Sequence, residues 1–517
     1  MARFSHPFAF VGALVLTGAF VLAGFPSRAL AAPAAQASAL PVPAARTVLT
    51  HHVARIGGRD IHYTATAGTI ILRNAKDEPT ASVFYVAYVA DGLGPSAQRP
   101  ITFAYNGGPG GSSALVHLGA FGPRMVRTTN GAQTPPPPYD IVDNNESLLP
   151  SSDLVFVDAV GTGFSRIVGK GTPKDFYGLD EDGHAFAQFV RRYITTNDRW
   201  NSPKFLAGES YGTTRSAILA KMLEDQGIAV SGVTLMSTVL YFPTIFGGNA
   251  DDMPYWLYLP SEAAVAAYYD KLPVKPANLS AFLARARSFA EGPYASALAK
   301  GSNLTSAERT TLASELHEYI GLPTPYLEKS NLRVPPQRFE KELLGDEART
   351  IGRYDARFSA FDLDPIGASA QTDPSSDAVF GAFTAAFNRY VRTELHYTTD
   401  QEYIFLSFEV NAAWNFKRGA RDASMDVTGD LANAMTTNSY LRVFSANGLY
   451  DLATPFFATE YTLRHLGINP ALQSHISYGF YPSGHMIYLN PVAHAQLASD
   501  LRRFYAEATS RESQPRR

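Results

Sequence analysis

The sequence predicts an α/β fold, in which a mostly parallel central sheet follows antiparallel N-terminal strands and carries a helical cap insertion. Three features of the 517-residue chain support this prediction. Apolar and polar residues alternate in the N-terminal part, short apolar runs with helical sequence between them recur further along, and a long helical stretch separates the last two runs. Continuous apolar strands separated by helices are typical of a parallel sheet buried on both faces.

The first residues predict a targeting segment. Arg3 supplies a positive charge, residues 8–25 form a nearly unbroken apolar run, and residues 29–31 (Ala-Leu-Ala) form a small-x-small site. This pattern predicts a signal peptide over residues 1–31 and an exported protein, secreted or in a bacterial periplasm, with no stable membrane association after cleavage. An uncleaved anchor is the alternative, because the run is nearly long enough to span a bilayer. Residues 32–46, rich in Ala and Pro, predict a disordered linker.

Composition excludes several classes of function. The chain has no cysteine, which excludes disulfides, thiol catalysis, cysteine metal sites and lipid attachment through cysteine. The net charge is −3 with acidic and basic residues interspersed, so no nucleic-acid partner is expected. No metal or cofactor is implied, because there is no His-Glu-x-x-His pattern and the pair His51-His52 fits the start of a strand. The sequence does not indicate the oligomeric state.

The first part of the predicted core spans residues 47–241. Alternating stretches such as residues 61–65 and 82–89, with Gly57-Gly58 as a turn, predict antiparallel strands. Short apolar runs then predict the strands of the central sheet. They are residues 101–105, 154–157, 205–207, 233–236 and 441–444.

Residues 242–416 form the predicted insertion. Helical patterns at residues 262–269, 279–290 and 306–320 are separated by polar and proline-rich connectors, without runs typical of sheet strands. Helices inserted between two sheet strands would form a lid over the strand ends. The core is predicted to resume over residues 417–509, and residues 510–517 to form a flexible tail.

Gly208-Glu209-Ser210-Tyr211-Gly212 is the only Gly-x-Ser-x-Gly pattern in the chain. An apolar run precedes it and a helical pattern over residues 216–223 follows. Between a strand and a helix, this pattern forms a sharp, strained turn that exposes the serine hydroxyl at its tip, the nucleophile elbow. An ordinary Gly/Ser loop is the alternative. The pattern alone does not separate the two.

A serine nucleophile needs a base, and the base needs an orienting carboxylate. In this strand–turn–helix arrangement the acid and then the histidine should follow the serine along the chain. His485 lies in a Pro-Ser-Gly-His loop just after the strand-like residues 474–480, where catalytic groups collect. His465 and His494 lie in helical patterns, and His475 lies near a strand start.

The predicted acid is Asp451, which follows the strand at residues 441–445 and precedes His485. Taken alone, the position of Asp451 favours a turn or helix-cap residue ahead of Pro455. The two assignments support each other, because both residues follow consecutive sheet strands.

The glycine-rich stretch over residues 106–113 (Asn-Gly-Gly-Pro-Gly-Gly-Ser-Ser) directly follows a predicted strand. Such a loop can bring backbone N–H donors close to a reacting oxygen. A phosphate-binding loop is the alternative, but no Gly-Lys-Ser/Thr follows. The second donor is expected from Tyr211, the residue after the nucleophile.

With these motifs the chain resembles the serine carboxypeptidases, a family of α/β-hydrolase fold. Five blocks stand in the family's order. They are residues 106–113, 158–165, 208–212, 447–451 and 484–486.

The resemblance implies an enzyme that hydrolyses C-terminal peptide bonds through an acyl-enzyme, on peptides with a free C-terminus. It implies Ser210 as nucleophile, His485 as base and Asp451 as its orienting acid. The oxyanion hole would be formed by backbone N–H groups of Gly108 and Tyr211.

The resemblance also implies that Asn106, Gly107 and Glu209 bind the C-terminal carboxylate of the substrate. Glu209 would have to be protonated, because a carboxylic acid donates a hydrogen bond to a carboxylate only when its own pKa is raised. Acidic pH would therefore favour peptide cleavage.

The chain departs from the family pattern near Glu209. The family's second glutamate is expected about two residues before Gly122-Pro123, where this chain has Ala120-Phe121. Arg215, after the elbow, also departs from the pattern and could bind a carboxylate or form a structural ion pair. A serine esterase or acyltransferase on the same fold is therefore the alternative function, and a non-catalytic binding protein is a further one. An aminopeptidase is less favoured, because it would need an acidic pocket that binds the amino group of the substrate.

Overall fold

The computed structural model describes residues 39–248, 250–418 and 425–510. Its main feature is a central ten-stranded sheet. Two units are distinguished, Met1–Ala39 and Leu40–Arg517, and of the first only Ala39 lies among the described residues. The predicted signal peptide and residues 511–517 of the predicted tail lie outside them.

The strands and helices follow one another as the α/β prediction requires. The strands are β1 (Thr47–Ile56), β2 (Arg59–Arg73), β3 (Pro79–Ala90), β4 (Ile101–Tyr105), β5 (Arg124–Val126), β6 (Ile141–Asp143), β7 (Asp153–Val157), β8 (Arg166–Ile167), β9 (Lys204–Glu209), β10 (Gly232–Met236), β11 (Arg349–Ile351), β12 (Ser359–Phe361), β13 (Arg442–Gly448) and β14 (Ile476–Tyr481). The helices are α1 (Leu179–Thr196), α2 (Tyr211–Asp225), α3 (Met253–Tyr268), α4 (Leu279–Phe289), α5 (Ala295–Ala299), α6 (Ser306–Ile320), α7 (Thr324–Lys329), α8 (Pro336–Glu342), α9 (Pro374–Thr393), α10 (Phe408–Ala412), α11 (Thr428–Thr437), α12 (Phe456–Arg464), α13 (Pro470–Gln473) and α14 (Pro491–Thr509).

The sheet has an antiparallel part and a parallel part. Its order is β1-β2-β3-β7-β4-β9-β10-β13-β14, and β8 pairs with β3. The pairs from β1 to β7 are antiparallel, and all pairs from β7 to β14 are parallel. Gly57 and Gly58 form the two-residue turn between β1 and β2, both with positive φ, as such a hairpin requires. The predicted fold class is confirmed.

Alternate side chains of the parallel strands enter two hydrophobic cores. On β9, Phe205 and Ala207 pack into the core on one face of the sheet, together with residues of α9 and α14. Leu206 packs into the other core, with residues of α1, α2 and α11. Side chains of successive strand residues point to opposite faces, so a strand covered on both sides reads as an unbroken apolar run.

The chain between β10 and β13 carries the helical insertion. The described residues of the predicted insertion, 242–248 and 250–416, contribute α3 to α10 and the separate two-stranded sheet β11–β12, and no strand of the central sheet. Helices α3, α4, α6, α7 and α8 surround a third hydrophobic core, which also contains Tyr450 and Leu452 from the loop after β13. Helix α9 instead packs into a core of the main sheet.

The N-terminal segment makes defined contacts from Leu40 onward. Leu40 exchanges two backbone hydrogen bonds with Gly169, at 2.9 and 3.0 Å. Residues 32–38 of the predicted linker lie outside the described residues, and the disorder predicted for residues 32–46 stays a prediction. Across the described ranges, no helix combines the length and the apolar character needed to cross a bilayer.

Candidate active site

Ser210 stands in the sharp turn between β9 and α2. Its φ is 61° and its ψ is −130°, a strained conformation for a residue with a side chain. The two flanking glycines of the motif allow this turn. A Cβ atom on Gly208 would lie 2.0 Å from the carbonyl oxygen of Gly212, and one on Gly212 would lie 2.9 Å from that of Tyr105. Both positions therefore require glycine for steric reasons, which explains the Gly-x-Ser-x-Gly sequence at this turn.

His485 and Asp451 meet at the ends of two neighbouring parallel strands. Asp451 follows β13 and His485 follows β14, and Nδ1 of His485 lies 2.8 Å from Oδ2 of Asp451. The other carboxylate oxygen accepts backbone N–H groups of Ala453 and Thr454, at 2.7 and 2.9 Å. Asp451 is fully buried, and these three hydrogen bonds fix the orientation of its carboxylate. Because His485 uses Nδ1 for the acid, its Nε2 remains for a substrate or a nucleophile.

The surroundings of His485 favour its protonated form. Burial alone would lower the pKa of the imidazole, but the charge of Asp451 and its hydrogen bond together raise the pKa above its ordinary value. A base whose protonated form is stabilised by a fixed carboxylate is suited to take a proton from a serine hydroxyl.

Ser210 and His485 line the same pocket. No hydrogen bond joins the two side chains within the described ranges, as is common before a substrate tightens such a site. Asn106, Gly107, Gly108 and Glu209 also line this pocket. The remaining wall is largely apolar, and four of its residues belong to the insertion. The apolar wall consists of Leu115, Tyr354, Phe380, Phe405, Leu406 and Met486.

The glycine-rich loop after β4 passes directly against the N-terminus of α2. A Cβ atom on Gly107 would lie 2.4 Å from the backbone nitrogen of Tyr211. Gly108 has a φ of 115°, which only glycine adopts without strain, and the N–H of Gly111 donates to the carbonyl of Gly107 at 2.9 Å. The loop that carries the predicted donor Gly108 and the helix start that carries Tyr211 are therefore adjacent.

Glu209 is a buried acid with one bonded and one unbonded oxygen. The amide of Asn106 donates to Oε1 at 2.6 Å, and the hydroxyl of Tyr488 donates to the same oxygen at 3.4 Å. No described residue bonds Oε2. Burial raises the pKa of Glu209 to about 7. The amide of Asn106 faces Glu209 with its nitrogen because its Oδ1 accepts the N–H of Val116 at 3.0 Å.

Tyr488 is a site residue that the sequence did not indicate. It lies in the apolar run Ile487–Leu489, where a buried aromatic residue would be expected as core. Its ring packs so closely on Gly119 that a Cβ atom there would lie 2.3 Å from the ring. Gly119 immediately precedes Ala120, so the ring of Tyr488 fills space beside the position where the family pattern has its second glutamate.

Arg215 forms a buried ion pair and does not line the pocket. Its Nε lies 2.7 Å from Oδ2 of Asp182, and its Nη1 donates to the carbonyl of Asn106 at 2.7 Å. The guanidinium stacks over Phe186 at 4.4 Å. Of the two roles considered from the sequence, the geometry favours the structural ion pair.

No cluster of three or more His, Asp or Glu side chains suited to a metal ion occurs in residues 39–248, 250–418 and 425–510. The groups that converge on the pocket are a serine, a histidine backed by a carboxylate, backbone donors and a protonatable acid.

Comparison with known proteins supports the family resemblance. Residues 63–237 match the family model of the serine carboxypeptidases, a segment that contains Ser210 but not Asp451 or His485. A carboxypeptidase Y homolog from Arthroderma benhamiae is 31% identical over 147 residues, which are 28% of this chain and 27% of that relative. The match thus spans about a quarter of the relative's length.

Among solved structures, Kex1Δp, a prohormone-processing carboxypeptidase from Saccharomyces cerevisiae, aligns with a TM-score of 0.52. The alignment covers 86% of this chain and 91% of that chain, at 15% sequence identity. At this identity the likeness concerns the fold. The resemblance to the serine carboxypeptidases and the α/β-hydrolase fold, both predicted from the motifs, are confirmed.

Proposed function

We propose that the protein is an exported serine carboxypeptidase, which removes C-terminal residues from peptides through an acyl-enzyme. The observation that carries the proposal is the position of Glu209, a buried acid with a raised pKa that lines the same pocket as Ser210 and His485. A serine with its base and acid is common to many hydrolases. An acid able to donate a hydrogen bond to a carboxylate beside that serine is what an enzyme acting on free C-termini requires.

The reaction begins with attack of Ser210 Oγ on the carbonyl carbon of the last peptide bond. His485 takes the hydroxyl proton at Nε2, while Asp451 stabilises the imidazolium through Nδ1. Backbone N–H groups of Gly108 and Tyr211 hold the negative oxygen of the tetrahedral intermediate. The proton then passes to the leaving amino group, the C-terminal amino acid departs, and water hydrolyses the acyl-enzyme with His485 again as base.

The substrate carboxylate binds to Asn106, Gly107 and protonated Glu209. Glu209 donates from Oε2, the oxygen that no described residue bonds, while Oε1 stays with Asn106. The donor exists only while Glu209 is protonated, so binding of a free C-terminus weakens as the pH rises through about 7. Tyr488 provides a second donor to Oε1 in place of the family's second acid.

Export is proposed from the first residues, where a positive charge, an apolar run and a small-x-small site follow one another. A serine esterase or acyltransferase is the second candidate function. The observation in its favour is that Ala120 occupies the region where the family's second glutamate is expected, so that carboxylate binding rests on Glu209 with neutral partners.

One experiment separates these functions. The purified protein and the Ser210→Ala variant are incubated with an N-blocked peptide, the same peptide amidated at its C-terminus, and a simple aryl ester. We expect the wild type to cleave the free-acid peptide and spare the amide. Ester cleavage without peptide cleavage would contradict the carboxypeptidase and support the serine esterase. Equal rates in the Ser210→Ala variant would exclude Ser210 as the nucleophile.

A further inference from the structure

We propose that residues 353–357 of the helical insertion hold the acid and base loops of the site in register, with Asp355 and Arg357 as positioning residues. This clamp segment follows β11. The inference rests on the proposed function only in so far as Asp451 and His485 act together as acid and base. It concerns any substrate that this pair serves, peptide or ester.

The clamp segment bonds directly to the loop that carries His485. The N–H of His485 donates to the carbonyl of Tyr354 at 2.6 Å, and the N–H of Gly484 donates to Oδ2 of Asp355 at 3.2 Å. The approach is so close that a Cβ atom on Gly484 would lie 2.5 Å from the Cα of Asp355. The ring of Tyr354 also packs against the imidazole, with centroids 5.2 Å apart.

The same segment bonds to the loop that carries Asp451, on both sides of the acid. The N–H of Ala356 donates to the carbonyl of Tyr450 at 3.0 Å, and the N–H of Leu452 donates to the carbonyl of Arg353 at 3.0 Å. Tyr450 and Leu452 pack into the hydrophobic core of the insertion. The acid loop is therefore anchored to the insertion by backbone bonds and by side-chain packing.

A buried ion pair stiffens the clamp segment. Arg357 Nε donates to Oδ1 of Asp355 at 2.9 Å, and Arg357 Nη2 donates to Oγ of Ser483 at 3.1 Å. Asp355 is fully buried and its N–H donates to Oγ of Ser375 at 3.2 Å. A buried carboxylate is stable only with such partners, so the pair fixes both its own geometry and that of the base loop.

The acid and base follow different strands, β13 and β14, and their 2.8 Å contact requires the two loops to keep a constant spacing. The clamp segment bonds to both loops, at residues 450–452 and 484–485, and adds to the direct bond from the N–H of Tyr450 to the carbonyl of Ser483 at 3.0 Å. Weakening it should displace His485 relative to Asp451. A misplacement of about 1 Å in a catalytic group costs about a hundredfold in rate.

The test compares Asp355→Asn with a matched control, Asp362→Asn. Asp362 pairs with Lys341 in the same insertion, but none of its described contacts reaches the acid or base loop. Rates on an aryl ester are normalised to sites labelled by a fluorophosphonate, which reacts with an activated serine. We expect Asp355→Asn to lower kcat about a hundredfold with KM within about twofold, and Asp362→Asn to leave both near wild type.

The pH profile distinguishes positioning from a general loss of stability. The charged groups facing His485 are Asp451, Glu209 and Arg353, and Asp451 is the main one that raises its pKa. If the contact with Asp451 loosens, that increase is reduced, so the acid limb of kcat should move to lower pH in Asp355→Asn. The control should keep the wild-type limb even where its melting temperature falls.

Arg357→Lys serves where Asp355→Asn fails to fold. Lysine keeps the charge but loses the fork that reaches both Asp355 and Ser483, so kcat and the acid limb should shift in the same direction by a smaller amount. Wild-type kcat and acid limb in a folded clamp variant would overturn the inference while leaving the proposed function intact. Wild-type protein that the probe does not label at Ser210 would overturn both. Labelling and ester cleavage without peptide cleavage would count against the carboxypeptidase alone.

Discussion

The amide of Asn106 donates a 2.6 Å hydrogen bond to Oε1 of Glu209 and leaves Oε2 of that buried carboxyl without a described partner. This hydrogen bond fixes the orientation of Glu209. When Glu209 is protonated, its free oxygen Oε2 can carry the proton and donate a hydrogen bond. Burial raises the pKa of Glu209 to about 7, so both protonation states are accessible within the working range of many enzymes.

The pH dependence of peptide binding should disappear in Glu209→Gln. In the proposed mechanism, Glu209 is protonated below about pH 7 and donates to the substrate carboxylate, whereas above this pH its charge would repel that carboxylate. KM for a free-acid peptide should therefore rise through about pH 7. Glutamine donates at every pH, so the variant should lack this rise. Initial rates on a free-acid peptide and an aryl ester, measured between about pH 5 and pH 9, check the prediction.

The ester is the internal control, because it offers no carboxylate for Glu209 to bind. Its KM should depend little on pH in either protein. A rise in peptide KM that persists unchanged in Glu209→Gln would assign the titration to another group.

Much of this site could be predicted because its residues follow strands. Ser210, Asp451 and His485 each follow the end of a sheet strand within a few residues, and parallel strands bring their carboxyl ends to one edge of a sheet. Chain order and strand ends were therefore sufficient to predict that these three residues come together at the candidate site. The glycine-rich loop was recognisable because close backbone contacts and a positive φ require glycine at positions such as Gly107 and Gly108.

Tyr488 and the clamp segment could not be predicted in this way. Tyr488 lies in an apolar run typical of core, and only the fold brings its hydroxyl to Glu209. Asp355 and Arg357 lie in the insertion, far along the chain from both loops that they serve. Contacts that depend on how an insertion packs against a sheet leave no periodicity or motif in the sequence. Such residues become visible only when the distances are known.

Tyr488→Phe should weaken the binding of free C-termini without affecting esters. The change removes the hydroxyl that donates to Oε1 of Glu209 and keeps the ring that packs on Gly119. Well below pH 7, where Glu209 is protonated in both proteins, we expect KM for a free-acid peptide to rise several-fold, because Glu209 loses an orienting hydrogen bond of about 1 kcal/mol. The bond to Tyr488 also lowers the pKa of Glu209, so its loss should move the rise in KM to higher pH.

The measurement is the pH profile of peptide KM in Tyr488→Phe beside that of the wild type. A shift of the profile to lower pH would contradict the proposed hydrogen bond. An equal loss on peptide and ester would show that Tyr488 acts through packing alone.

Gly107→Ala should impair catalysis because the new methyl group would lie 2.4 Å from the backbone nitrogen of Tyr211. Backbone atoms cannot move aside cheaply, so the glycine-rich loop and the start of α2 must separate. Loss of one oxyanion donor costs about a hundredfold to a thousandfold in kcat. We expect a loss of this order on both ester and peptide, measured as kcat per labelled Ser210.

Gly345→Ala is the matched control, because among the described residues no heavy atom beyond its own chain neighbours lies within 4 Å of the Cβ position there. Its kcat should equal that of the wild type. Full activity in Gly107→Ala would show that the loop does not need this close approach, and would remove the steric argument for an oxyanion hole at this point.

Arg215→Ala should destabilise the fold strongly, because it leaves Asp182 buried without its partner and frees the carbonyl of Asn106. Breaking a buried pair on one side costs about 3–5 kcal/mol. The comparison is Lys221→Ala, which removes the partner of Asp225 on the same helix, where both side chains are partly exposed. That change should cost less than about 1 kcal/mol. Urea unfolding of both variants gives the two values. Similar losses of stability in the two variants would mean that Asp182 is not held as a buried charge. A large loss of peptide binding with unchanged stability would instead indicate that Arg215 binds the substrate.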